Sequence, residues 1–365
     1  MLKRLNQNLI LENPRMKIPA FRYLIALVAA FSAAAVLCPS ALAQCTTTTT
    51  GKTMTLNGDC TTTTSINVPN GLTFDGAGHT ITAVDPAGGH FVGGVIQNGG
   101  ATANVTNVRI TTSGLAEVCD AGPDRLRGIL FDGASGSITN TEIMNINQNH
   151  GTALSGCQEG NGIEVRNFGS SPTTVRVSID GNVITAYQKT GIVANGDTDA
   201  TITENVVTGY GPQGYIAQNG IQIGFGATAL VKRNEVSGNS YTGTSDDSGG
   251  ILLVAGPYYG SAYSVGDQIM NNTLTNNDIG VWLSQAESDG VTPPPTATNV
   301  KVVSNLITNN AVTNGYGYQA GISDQGNNDK LINNTISGAG YTSAGMYTID
   351  ASSPYAARPK VHANK

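Results

Sequence analysis

Charge and large aromatic side chains are both scarce in this chain. Only 12% of its 365 residues are Asp, Glu, Lys or Arg, and it has one Trp and seven Phe. A broad globular core would have little to fill it, whereas a long thin core of Ile, Val and Leu in an elongated repetitive fold remains available. Helical periodicity is missing throughout the mature chain, which argues against helix bundles and α/β layers. No C-x-x-C spacing occurs, so a zinc framework is not expected. What the chain has instead is glycine, 46 residues of it.

The first 43 residues have the form of a targeting segment. Lys17 and Arg22 precede the apolar run YLIALVAAFSAAAVL, and SALAQ follows with the small-x-small pattern of a cleavage site, so cleavage is expected after Ala43. The run is short for a membrane span, and Leu37 before Cys38 does not suit a lipoprotein site. Met16 is an alternative start. A secreted or periplasmic protein with no membrane span in its mature form is expected. The leader holds five of the 19 basic and one of the 25 acidic residues, leaving a net charge of −10. That acidity offers nucleic acid no electrostatic footprint. Cys45, Cys60, Cys119 and Cys157 remain, an even number for an oxidising compartment. The simplest pairing is Cys45 with Cys60 and Cys119 with Cys157, one of three possible connectivities.

Self-similarity is the dominant signal. A glycine followed by an alternating apolar strand recurs as RGILFD, NGIEVR, TGIVAN, NGIQIG, GGILLV, IGVWLS and AGISDQ. The glycines are Gly128, Gly162, Gly191, Gly220, Gly250, Gly280 and Gly321, spaced 34, 29, 29, 30, 30 and 41 residues apart. Between them lies a second motif, aligned on Asn182, Asn205, Asn234, Asn272, Asn305 and Asn334, with Thr141 in the preceding copy. Asparagine tolerates the left-handed conformation of a sharp bend, and its amide can bond an identical amide one strand spacing away. The expectation is a column of stacked amides inside parallel coils of about 30 residues.

On these residues the chain resembles the pectate-lyase-like superfamily, and within it secreted proteins with right-handed β-helix repeats. The resemblance covers about residues 50–350. It implies an all-β, single-stranded right-handed parallel β-helix over residues 44–350 with an N-terminal cap, and leaves the activity open. Asp75 and His79, in the cap phrase FDGAGHTI, fit turn formation better than catalysis. Residues 351–365 are expected to form a disordered tail.

Glycan-active proteins of this kind use a groove along one outer face, walled by turn insertions. Here the long insertions precede Arg127 and Asn161, and a Cys119–Cys157 bridge would pin them together. On the glycine strand, Asp132, Arg166 and Asn195 share one outward position, while Glu164 and Gln222 flank Val193 at the next. Just before the strand come Arg125, Glu159, Lys189, Gln218 and Asp247. Tyr187, Tyr210, Tyr215, Tyr241, Tyr258 and Tyr259 lie farther out, where they could stack on sugars.

Two chemistries suit these residues. A lyase acting on a uronate needs a cation and a base, for which Arg166 and Lys189 are candidates, with Ca2+ held by acidic side chains. A hydrolase needs two carboxylates, drawn from Asp132, Glu159, Glu164, Asp246 and Asp247. The superfamily's known catalytic motifs, R-x-P-x-x-R or the set N-T-D, G-H-G and R-I-K, are missing, although SDDS at Ser245 imitates a paired-aspartate motif. Ion pairs between rungs, such as Asp132 with Arg166, would equally serve register. The function expected is binding or degradation of a polysaccharide or cell-surface glycan. The alternative is a non-catalytic glycan-binding or structural solenoid.

Overall fold

The computed structural model describes residues 43–148, 155–351 and 360–362. The expected leader, all but Ala43, lies outside them. Each coil visits three sheets in turn, as in Thr190–Gly196, Thr198–Thr203 and Val206–Gln213. Among the described residues the first sheet has ten strands, from Ile66–Pro69 to Tyr347–Asp350. The second has twelve strands and the third ten. Pairing between coils is parallel throughout. The exception is the hairpin Thr47–Thr50 with Thr53–Leu56 at the N-terminal end of the second sheet, where it caps the solenoid.

The core is a file of branched aliphatics. Ile163, Ile192, Ile221, Ile251, Val281 and Ile322 stack rung upon rung in register and are fully buried. The repeated glycine leads each of these strands for reasons of space. A Cβ on Gly191 would stand 2.3 Å from Val207 Cγ1 and 2.7 Å from the Gly220 carbonyl oxygen. The first strand therefore runs too close to the third sheet's apolar side chains for any larger residue.

The amide column is continuous. Thr141 Oγ1 donates to Asn182 Oδ1 at 2.8 Å, and each later asparagine amide donates to the next at 2.9–3.0 Å, ending at Asn334. Each amide from Asn182 to Asn334 also donates to a backbone carbonyl, so burial leaves it satisfied. The bend differs from expectation in one respect. The left-handed residue is the one before the ladder asparagine: Glu204, Arg233, Asn271, Ser304 and Asn333 all have φ of 55–56°. The ladder residue supplies the amide and its neighbour supplies the bend.

Both disulfides form as the simplest pairing has them, Cys45 with Cys60 in the cap and Cys119 with Cys157 between the insertions. Asp75 accepts the Ala77 amide hydrogen within its own turn, and His79 faces Asp59. Within the expected tail, Lys360–His362 adds a parallel strand beside Lys330–Ile332. That edge still presents unpaired backbone groups, which a returning strand can satisfy. The rest of the tail beyond Ala351 lies outside the described residues.

Candidate functional site

The outer face of the first sheet carries two columns of side chains. One runs Glu164, Val193, Gln222, Leu252, Trp282, Ser323, Asp350. The other runs Asp132, Arg166, Asn195, Gly224, Val254, Ser284. The register expected for Asp132, Arg166 and Asn195 is thus present. The environment changes along the face.

Toward the N-terminal end the charges are engaged with one another. Arg127 Nε donates to Glu164 at 2.6 Å, and Arg166 donates to Asp132 at 2.6 Å and lies 3.5 Å from Glu164. Asn161 adds a bond to Glu164, and Arg127 also donates to the carbonyls of Gly122, Pro123 and Arg125. Glu164, Arg127 and Arg166 are buried. The group is a clasp that fastens the 113–126 insertion over the sheet, and it presents no free charge to a ligand. Asn195 is buried and accepts a hydrogen bond from Gln222.

Several other candidates face inward. Glu159 is fully buried and accepts backbone N–H groups from Asp120 and Leu126, with burial pushing its carboxyl up to about 7. Tyr187 was expected on the outer face for stacking; it is fully buried and donates to Asn239 Oδ1 at 2.6 Å. Gln218 was expected to touch substrate; it too is fully buried, donating to the Tyr187 and Gln188 carbonyls and accepting from the Tyr210 amide. Both sit at the corner where the third sheet passes to the first. A buried corner must saturate its backbone groups, and these polar side chains do so. Tyr210 is tied to Asn147 and the Ala186 carbonyl at the same corner.

Toward the C-terminal end a cleft of about 410 Å³ opens. Lys189, Asp246, Asp247 and Trp282 line it, with Tyr215, Tyr241 and Tyr259 as aromatic walls and Gly156 and Gln158, flanking Cys157, at one edge. Lys189 Nζ donates to the Ala217 carbonyl at 2.6 Å. Desolvation lowers its pKa to about 8, opposed by Asp246 and reinforced by Arg125. Asp247 moves the other way, raised to about 7 by desolvation and then by Asp278 and Asp246. Its Oδ1 is covered by protein yet has no hydrogen-bond partner. Behind it Asp278 is held by the Tyr241 and Ser248 amides and by Asn314. Tyr215, half-exposed, is the one sugar-stacking candidate of the first three tyrosines that reaches this cleft.

A second cleft of about 290 Å³ continues past Trp282 and Asp247, lined further by Tyr316, Tyr318, Ser323, Asp324 and Asp350. Sequence reasoning missed these. Their signal was Asp324, an acid at a position where other rungs carry an apolar residue such as Leu283. Asp324 is buried beside Asp329, whose carboxyl is pushed up to about 8 by burial and by Asp324's charge. Among the described residues no group of three or more His, Cys, Asp or Glu side chains is placed to hold a metal ion, so the Ca2+ expectation has no ligand set to name. No helix among them is long and apolar enough to cross a membrane.

A family model described as "Right handed beta helix region" matches residues 127–357. The chain belongs to that family. No curated protein matches it. Among solved structures it is similar to the Dettilon tailspike protein (16% identity, TM-score 0.44, covering 85% of this chain and 61% of that one). It is also similar to the periplasmic alginate epimerase AlgG (14%, 0.47, 86% and 72%). A third is the catalytic unit of a thermostable GH87 alpha-1,3-glucanase from Streptomyces thermodiastaticus strain HF3-3 (17%, 0.39, 84% and 62%). The β-helix thus spans less than two thirds of the tailspike and glucanase chains.

Proposed function

We propose that this β-helix is exported from the cytoplasm and cleaves a polysaccharide lying along the first sheet, with the Lys189–Asp247–Trp282 cleft as the reaction centre. The supporting observation is the convergence of Lys189 and Asp247, displaced to about 8 and about 7, in one aromatic-walled cleft. A carboxyl that keeps its proton near neutrality is suited to protonating a departing glycosidic oxygen. Hydrolysis needs a second carboxylate to activate water or attack the sugar directly, and Asp246 lines the same cleft. Elimination would need a base instead, for which Lys189 is the candidate. The paired acids favour hydrolysis. Trp282 and the tyrosines supply apolar faces for sugar rings.

The test is an assay of the purified protein on pectins, alginate, glycosaminoglycans and neutral and amino-sugar polymers, with Ca2+ and with chelator. New reducing ends without ultraviolet absorbance are expected. Absorbing unsaturated products would replace hydrolysis by elimination and make Lys189 the base. Saturable binding with no product would reduce the cleft to a binding site, a reading favoured by the consumption of Asp132, Glu164 and Arg166 in ion pairs.

A further inference from the structure

Given the glycan-binding cleft proposed above, we infer that the second cleft, between Trp282 and Asp350, is a subsite for a sugar bearing a free amino group, so that the polymer acted on is a cationic aminoglycan. The two clefts share Asp247 and Trp282, so a chain lying in one continues into the other. Their charges differ. Lys189 lines the first, whereas the described residues lining the second include the acids Asp247 and Asp350, with Asp324 buried on the core side beside Asp329, and no Lys, Arg or His. Asp350 follows Ser323 in the column that contains Trp282, so it stands two strands beyond the ring-stacking position. It accepts the Tyr318 hydroxyl through Oδ2 at 2.7 Å. Asp247 Oδ1 is covered by protein and has no donor from the chain, which leaves this carboxyl under-satisfied at the boundary the two clefts share. An ammonium group beside Trp282 and between these carboxylates would gain charge-assisted hydrogen bonds and a cation–π contact. A polyuronate would instead bring its carboxylates against them.

Calorimetric titration of the purified protein with glucosamine and galactosamine tetramers, each beside its N-acetylated form, tests this. One amine tetramer should bind about tenfold tighter than its acetylated partner, equivalent to about 1.4 kcal/mol. The preference should disappear in Asp350→Asn, whose amide oxygen can still accept from Tyr318, and should weaken as salt is raised. Equal or tighter binding of the acetylated forms, or a preference unchanged in Asp350→Asn, would overturn the inference. Binding of polyuronate alone or neutral glycan alone would overturn it while leaving the cleft's glycan role intact. Failure to bind any glycan would remove both.

Discussion

The two ends of the first sheet's outer face hold similar numbers of charged side chains and put them to opposite use. Around Asp132, Glu164 and Arg166 every charge has a partner, and the result is a fastening for an insertion. Around Lys189 and Asp247 the charges are desolvated without close ionic partners, and both groups move toward neutrality. Polarity along a solenoid face is therefore a poor guide to chemistry. What separates the clasp from the proposed reaction centre is whether the neighbouring rung completes the hydrogen bonds.

Substitutions at the two ends should have opposite consequences. Asp247→Asn is expected to lower turnover about 100-fold or more while leaving the unfolding midpoint unchanged, measured by initial rates and thermal melting. Arg127→Met should do the reverse, costing about 3–5 kcal/mol in denaturant unfolding because Glu164 loses its closest cation in a buried setting. If both variants behaved alike, the distinction would fail. Replacing Cys119 and Cys157 together by serine is expected to cost about 2–4 kcal/mol and to raise KM more than it lowers kcat, since Gly156 and Gln158 wall the cleft beside that bridge.

A pH dependence is also expected. Asp267 is buried with its carboxyl pushed up to about 7, and Asp329 up to about 8, against 3.8 ordinarily. A carboxyl raised on folding binds its proton more tightly in the native state. Its stabilisation is complete below the unfolded value and is lost as pH rises toward the folded one. The melting temperature should thus fall between about pH 4 and pH 8, with a shallower slope in Asp267→Asn. Turnover should decline as pH passes about 7 and Asp247 loses its proton.

The solenoid was legible because its signals are repeated. One close-approach glycine and one amide per coil recur seven and six times, and parallel stacking turns recurrence into columns. The site was only partly legible. Lys189 and Asp247 stand just before their strands and could be named from the alignment of rungs. Tyr187 and Gln218 occupy similar alignment positions but point into the corner, and hydropathy does not say which way a corner residue turns. Asp350 escaped notice because the last rung, around Tyr347–Asp350, carries no glycine motif to align it.

Along the amide ladder, successive partners are separated by 41, 23, 29, 38, 33 and 29 residues, yet the bond between them scarcely changes. The ladder acts as a ruler graduated in coils instead of residues. Segments between graduations can lengthen or shorten without disturbing the register of the strands above and below. Loop length and sheet alignment thereby become independent variables. The walls of the groove can be rebuilt by insertion or deletion while the floor that carries Trp282 stays where it is.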